Sequence, residues 1–261
     1  VQLFNVSNFA ISQFLAETPI LWFMILFGLL IIYNVYTGIE NISRVTIIFL
    51  SVIIFMTIIS TTGLIPTIET ANLKPYLENG IIPPLKAGIL LTITNVSPIF
   101  MLLIVKKDKI TENQKLTKYF TFFYFLAYLF AFLAIFLCLS SLGIYLCKIY
   151  QYPEYTVLKK ISLFRFIERI ENFIYIKWIL NSFITLSLVI YHISFSIKKE
   201  SKKLTPIIST FLLIFLSNYI FKNNTLFYYI GLHYFPIICS ILLILYLIIG
   251  INIFIRNKVK I

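Results

Sequence analysis

Charged side chains are scarce in this chain. Only 12% of its 261 residues are Asp, Glu, Lys or Arg, whereas 60% are hydrophobic. Soluble domains carry roughly a quarter charged residues, so the composition excludes an ordinary water-soluble globular protein. Apolar runs of about 20 residues, the length that crosses a bilayer core as a helix, recur along the whole sequence. We therefore predict an all-α polytopic membrane protein whose main solvent is the lipid bilayer.

Seven apolar runs, separated by charged or proline-containing turns, have the character of membrane spans. A further apolar stretch, Val1–Leu15, is too short to cross the bilayer alone and is expected to be the end of another helix. Because the chain begins at Val1 without Met, we expect one transmembrane domain over residues 1–261 that is incomplete at its N-terminus. The predicted spans are Pro19–Tyr36, Val45–Leu64, Leu85–Val105, Phe120–Leu146, Phe173–Ile197, Pro206–Phe221 and Tyr234–Ile255.

Acidic residues are fewer than basic ones, 10 against 22, which gives a formal net charge of +12. The basic residues cluster in every second connection between spans, and the positive-inside rule places those connections and the C-terminus in the cytoplasm. This distribution accounts for the charge, so nucleic acid is not expected as a partner. The residues concerned are Arg44, Lys106, Lys107, Lys109, Lys115, Lys118, Lys198, Lys199, Lys202, Lys203, Arg256, Lys258 and Lys260.

Side chains that carry metal, redox or nucleophilic chemistry are also few. The three cysteines, Cys138, Cys147 and Cys239, form no C-x-x-C pair and are expected to pack as small apolar residues. The two histidines, His192 and His233, belong to no metal-binding pattern. No P-loop or dinucleotide-binding fingerprint is present. We therefore expect no cofactor, no metal and no enzymatic activity.

Polar residues inside the predicted spans are energetically costly, because lipid does not solvate them, and they therefore indicate a functional or structural role. The third span carries the run Thr92–Pro98, in which Thr94, Asn95 and Ser97 precede a proline. Pro98 opposes the carbonyl of Thr94, so the helix should kink or unwind there. Secondary transporters present substrate sites at such broken helices. The alternative is an ordinary proline kink whose carbonyls are satisfied by neighbouring hydroxyls.

Two further lines of polar residues recur at helical spacing. One runs along the fifth span and the other along the start of the chain. Three polar lines that face one another can enclose a small hydrated cavity, whereas the alternative is a set of hydrogen bonds between helices. The two lines consist of Trp178, Asn181, Ser182, Thr185 and His192, and of Asn5, Asn8 and Ser12.

The segment Tyr150–Lys177 is charged although it lies between two hydrophobic runs. Tyr152-Pro153 predicts a turn, and Ser162 can cap a helix over Phe164–Glu171. In that helix Arg165 pairs with Glu168, which leaves Arg169 and Glu171 for other partners. The alternative is a solvated helix at the membrane interface.

Two blocks of residues carry a resemblance to a known family. Tyr152-Pro153 is followed by I-S-L-F-R-F-I-E-R-I-E-N-F over 161–173 and by Trp178. Upstream stand Thr18-Pro19 and then Tyr36, Gly38, Glu40 and Arg44. Together these blocks resemble the spore germination permease family, the integral-membrane B subunits of spore nutrient receptors.

The resemblance implies a fold as well as a pocket. The family is similar to the amino acid, polyamine and organocation transporters, which have ten helices in two inverted five-helix repeats. This chain would then hold helices three to ten, and helices one and two would be missing. A pocket between helices one, three, six and eight would use Thr94, Asn95, Ser97, Pro98, Asn181, Thr185 and Asn8. With helix one absent, half of the unwound helix pair that would hold the carboxylate and the amine of an amino acid is not in the chain.

The resemblance also implies a function and partners. The expected function is recognition of a small germinant, an amino acid, with the signal passed to a larger membrane A subunit and a lipoprotein C subunit in the spore inner membrane. Arg165, Glu168, Arg169 and Glu171 would then shape access to the pocket or assembly. The alternatives are a cation-coupled amino-acid transporter and a scaffold that has lost its ligand.

Overall fold

The computed structural model describes residues 1–74, 78, 80–94, 113–160, 170–196, 203–221 and 223–258. These residues form α-helices, with two 3₁₀ turns at Ile65–Thr67 and Thr70–Leu73 and no strand in the described part. The helices are α1 (Gln2–Gln13), α2 (Ile20–Tyr36), α3 (Ile39–Leu64), α4 (Ile82–Thr94), α5 (Asn113–Ile149), α6 (Pro153–Leu158), α7 (Asn172–Ser196), α8 (Thr205–Ile220) and α9 (Asn224–Lys258).

Four of the described helices are long and apolar enough to cross a membrane: Ile39–Thr67, Lys118–Ile149, Asn172–Ser194 and Asn224–Leu245. α2, α8 and α4 as far as Ile93 are shorter apolar helices. Large apolar side chains on these helices face outward, and Ile47, Phe55 and Phe125 are each more than 60% exposed. Exposure of so much apolar surface to water is unfavourable, whereas lipid solvates it. The predicted all-α polytopic membrane class is confirmed, and the inverted repeat stays a prediction.

The helices form two compact units. The smaller unit holds α4, α9 and the end of α8, and α4 packs against α9 within it. The larger unit holds α1, α2, α3, α5, α6 and α7, together with α8 as far as Phe215. In the larger unit α7 packs against α1, α2 and α3, so it is the central helix of this unit.

Two helices begin before the predicted spans, each with polar or charged residues near its start. α9 begins ten residues before the predicted Tyr234, because Asn223 accepts a hydrogen bond from the backbone N–H of Leu226 at 2.8 Å and so caps the helix. α3 begins at Ile39 rather than Val45. Glu40 in its first turn forms an exposed ion pair with Arg44, one turn further on, at 2.7 Å. Apolar length alone does not detect such polar first turns.

The predicted same-side connections meet in the structure. The Tyr36 hydroxyl, at the end of α2, donates a hydrogen bond to the carbonyl of Lys203, just before α8. Both belong to connections that the lysine and arginine pattern places on one side of the membrane. The side of the membrane on which these connections lie stays a prediction.

A close helix contact at Gly28 gives a test of the packing. A Cβ added to Gly28 would lie 2.8 Å from Cδ1 of Ile214 and 3.1 Å from Cγ2 of Thr210. We therefore expect Gly28→Val to separate α2 from α8 and to lower the free energy of unfolding by about 1–3 kcal/mol, measured by thermal unfolding in detergent.

Gly231→Val is the matched control, because no heavy atom lies within 4 Å of a Cβ built there. Ile214→Ala in the Gly28→Val background should recover part of the loss by making room. Equal destabilisation by both glycine substitutions would contradict the contact.

Candidate functional site

Helices α3, α5, α6 and α7 of the larger unit line a cavity of about 670 Å³ that is open on one side. Pockets for small ligands commonly measure about 300–1,000 Å³. Most of its walls are aliphatic or aromatic, with residues such as Leu50, Ile53 and Phe130. The polar and amphipathic lining residues are Thr57, Ser60, Thr61, Glu154, Lys177, Trp178 and Asn181. The cavity is therefore an apolar space with a few polar groups, the usual composition of a small-molecule site.

The short helix α6 forms one wall of this cavity. Pro153 is its first residue, where the fixed φ of proline favours a helix start and no N–H is lost from the hydrogen-bond ladder. Its inner residues Val157 and Leu158 are buried against Leu137 and Ile174. The turn that Tyr152-Pro153 predicts is thus the start of a helix, which carries Glu154 into the cavity wall.

An aromatic cluster holds α1 against α6 and α7. The Phe9 ring is fully buried, with its centroid 4.6 Å from that of Tyr152, 5.2 Å from that of Tyr155 and 4.9 Å from that of Trp178. The first two contacts are edge-to-face, the arrangement that aromatic rings favour. Because Trp178 also lines the cavity, this cluster braces one of its walls.

α5, which lines the cavity, is interrupted at Gly143, and other segments of the chain form hydrogen bonds to it there. Gly143 has φ 76° and ψ 166°, which interrupts the helical hydrogen-bond ladder. The carbonyl of Ser140 instead accepts bonds from the Glu69 backbone N–H at 3.2 Å and from Asn72 Nδ2 at 2.9 Å. The carbonyl of Ser141 accepts one from Lys160 Nζ at 2.8 Å. The break therefore ties the second 3₁₀ turn and the end of α6 to α5.

The predicted polar line on α7 divides between two faces. Asn181 lines the cavity together with Trp178. Ser182 is buried on another face, where it accepts a hydrogen bond from Gln2 Nε2 of α1 at 3.2 Å. The Thr185 hydroxyl donates to the carbonyl of Asn181 at 2.9 Å, one turn back along its own helix. The structure thus has a hydrogen bond between α7 and α1, and one residue of the line, Asn181, in the wall of a mostly apolar cavity. The hydrated cavity between three polar lines stays a prediction.

The short line on α1 also reaches the neighbouring elements. Asn8 Nδ2 donates to the hydroxyl of Tyr152 at 2.8 Å, which joins α1 to the residue before α6. The Ser12 hydroxyl bonds the carbonyl of Phe9 within α1. Asn8 is therefore a residue that positions Tyr152, and it does not line the cavity.

Several predicted site residues lie elsewhere. Thr94 is the last residue of α4, in the smaller unit. Asn95, Ser97 and Pro98 lie outside the described residues, as do Arg165, Glu168 and Arg169. Glu171 precedes α7 and its carbonyl accepts the N–H of Ile174. The roles of all these residues stay predictions.

Two charged residues of the cavity were not predicted as site residues. Glu154 on α6 and Lys177 on α7 both line it, and each is partly buried. The sequence signal was present for Lys177, because it lies five residues inside the apolar helix that starts at Asn172. Glu154 gave no comparable signal, since it follows a proline in a segment that has the composition of an interfacial loop.

The surroundings of Glu154 shift the pKa of its carboxyl. Burial raises the pKa of the Glu154 carboxyl above its ordinary value, and the nearby positive charge of Lys177 reduces that rise. Among the described residues, no group of three or more His, Cys, Asp or Glu side chains is arranged to hold a metal ion.

The comparisons with known proteins agree with this architecture. The family described as spore germination protein matches residues 5–226. The chain belongs to the spore germination permease family. Spore germination protein XB of Bacillus anthracis is 26% identical over 203 residues, which is 78% of this chain and 56% of that protein. The chain therefore spans about half the length of this curated relative. No solved structure matches the chain significantly.

The break at Gly143 gives one test of the permease structure. Its φ and ψ lie in a region open essentially only to glycine, so Gly143→Ala should cost about 1–3 kcal/mol of unfolding free energy. Space is not the cause, because a Cβ there would be 3.7 Å from the nearest atom, Asn72 Oδ1.

Gly231→Ala is the control, since Gly231 lies inside α9 and a Cβ built there meets nothing within 4 Å beyond the neighbouring backbone of its own helix. Alanine favours a helix interior over glycine by about 0.5–1 kcal/mol, so this variant should be neutral or stabilised. Thermal unfolding in detergent measures the stability of both variants. Destabilisation of both variants would contradict the break.

Glu154 gives a second test, through pH. A carboxyl whose pKa is higher in the folded state binds protons more tightly there, so stability is greatest below the ordinary pKa of glutamate. That stability is lost as pH rises through the higher folded value. Removing the titrating carboxyl in Glu154→Gln should therefore reduce the fall in melting temperature between roughly pH 4 and pH 8. Glu17→Gln, at an exposed position, should keep the wild-type profile, and an unchanged profile in Glu154→Gln would refute the assignment.

Proposed function

We propose that this chain is the membrane-embedded B-type subunit of a spore germinant receptor, and that it binds a small germinant, an amino acid. Family membership supports the receptor role. The observation that carries the ligand-binding role is the 670 Å³ cavity, with Asn181 and Trp178 in a mostly apolar wall. The proposed partners are a larger membrane A subunit and a lipoprotein C subunit, in the spore inner membrane with the C-terminus in the cytoplasm.

The cavity walls suggest how binding becomes a signal. One wall, α6, joins the charged segment that the lysine and arginine pattern places outside the cytoplasm, whereas α3, α5 and α7 are membrane-spanning helices. A ligand that contacts both α6 and α7 favours the arrangement in which these two helices are close. Binding then shifts the population between two arrangements, by as much as the ligand prefers one over the other. The residues of the broken third span, Thr94, Asn95, Ser97 and Pro98, are proposed to add further contacts.

A cation-coupled amino-acid transporter is the second function that this architecture supports, because the cavity and the broken helix α5 occur together. Uptake of radiolabelled amino acids into proteoliposomes that hold the complete chain separates the two. Saturable binding without accumulation inside the vesicles supports the receptor, and saturable accumulation supports the transporter.

Asn181→Leu tests the proposed ligand site. The variant removes the amide from the cavity wall but keeps an uncharged side chain of similar size. A hydrogen bond to a charged ligand group contributes about 1.5–3 kcal/mol. We therefore expect the germinant concentration for half-maximal germination to rise about tenfold or more, in spores that carry the complete receptor.

Thr185→Val is the matched control, one turn further along α7. Its hydroxyl is bonded to the carbonyl of its own helix, so its loss should change the half-maximal concentration less than threefold, by the same scale of energies. Receptor abundance in the spore membrane is measured in parallel. A germination response in Asn181→Leu equal to that of wild type would overturn the site.

A further inference from the structure

Glu154 and Lys177 bring one negative and one positive charge to the same cavity. They reach it from different helices, Glu154 from α6 and Lys177 from α7. No hydrogen bond or close ion pair involving either charged group occurs in the part of the chain that the structure describes, although the two charges interact electrostatically. Glu154 also borders a second cavity of about 250 Å³, which shares Cys138 and Trp178 with the first.

The position of these charges calls for a compensating interaction. Lys177 lies five residues after Asn172, about 7.5 Å along the helix axis, and its side chain is partly buried. A buried charge is costly unless it is paired or solvated. The pair contributes no net charge, yet its two members do not satisfy each other by direct contact. Each therefore has capacity for one more partner of opposite charge.

A zwitterion supplies both partners at once. The ammonium group of a free α-amino acid suits a carboxylate, and its carboxylate suits an ammonium group. Such charge-assisted hydrogen bonds are stronger than neutral ones. The ligand adds no net charge to the membrane interior, and the aliphatic wall around Leu50, Ile53 and Leu137 accepts an uncharged side chain. A ligand with only one charge leaves either Glu154 or Lys177 unpaired.

We infer that Glu154 binds the ammonium group and Lys177 the carboxylate of a free amino acid with an apolar side chain, so that the ligand bridges α6 and α7. This inference rests on the proposed function and adds to it the two residues that recognise the backbone of the ligand. It assigns the selection of zwitterions to these two charges, and the selection of side chains to the apolar wall.

The test pairs each charge of the protein with one charge of the ligand. The twenty common amino acids are screened for binding to the purified complete receptor. The tightest binder is then compared with its amide, which lacks the carboxylate, and with its deaminated acid, which lacks the ammonium. Wild type should prefer the amino acid over each analogue by about tenfold or more.

Each single variant should lose one preference and keep the other. Lys177→Gln should bind the amino acid and its amide within about threefold, yet still prefer the amino acid over the deaminated acid. Glu154→Gln should show the reverse pattern. Because each result is a ratio of affinities on one variant, a smaller yield of folded receptor does not change it. Lys148→Gln and Glu17→Gln, at exposed positions outside the cavity, should keep both wild-type ratios.

The outcomes separate this inference from the proposed function. Amino-acid binding whose two ratios are unchanged in Glu154→Gln and Lys177→Gln overturns the inference and leaves the proposed function standing. A complete receptor that binds none of the twenty amino acids overturns the proposed function and the inference with it. Where a single variant does not assemble, the double variant Glu154→Gln/Lys177→Gln leaves no unpaired charge and should lose both preferences. Retention of both preferences in the double variant would overturn the inference.

Discussion

The constraint on which this structure depends is that lipid offers no hydrogen bonds to a polypeptide backbone. α5 breaks at Gly143, and the carbonyls of Ser140 and Ser141 there need donors from elsewhere. The donors come from Glu69 and Asn72, which lie between α3 and α4 in the sequence, and from Lys160, which follows α6. One interruption in a membrane helix therefore fixes the second 3₁₀ turn and the end of α6 against α5.

The cavity follows from that attachment. Lys160 holds the end of α6 on α5, and the ring of Phe9 holds the residues around its start through Tyr152 and Tyr155. Between these two attachments Glu154 is carried to the edge of the space between α3, α5 and α7. A six-residue helix is too short to be stable alone, so the position of Glu154 depends on contacts made by residues distant in sequence.

Local sequence patterns predicted the features that the lipid solvent selects, namely the membrane class and the helices. They did not predict the features that depend on contacts between residues distant in sequence. Apolar length indicated the membrane class and most helices, because each span is selected by lipid independently of the others. Asn181 was predicted from its spacing along α7, and it lines the cavity. The break at Gly143 was missed because a single glycine in an apolar run is compatible with an intact helix. Glu154 was missed because its role requires α6, α5 and α7 to meet, which no local pattern contains.

Under the proposed function, the two attachments also decide what a ligand can change. Lys160 and the Phe9 cluster bind α6 through its ends, whereas Glu154 and Lys177 face the space between α6 and α7 without direct contact. A ligand that bridges the two charges adds a third connection, present only while it is bound. The protein has two arrangements under this proposal, one with α6 close to α7 and one with the two helices apart. The free energy that binding can pass to partner subunits is limited by the difference in ligand affinity between them. A sensor needs only that difference, whereas net transport also requires the bridged ligand to be released on the opposite side of the membrane.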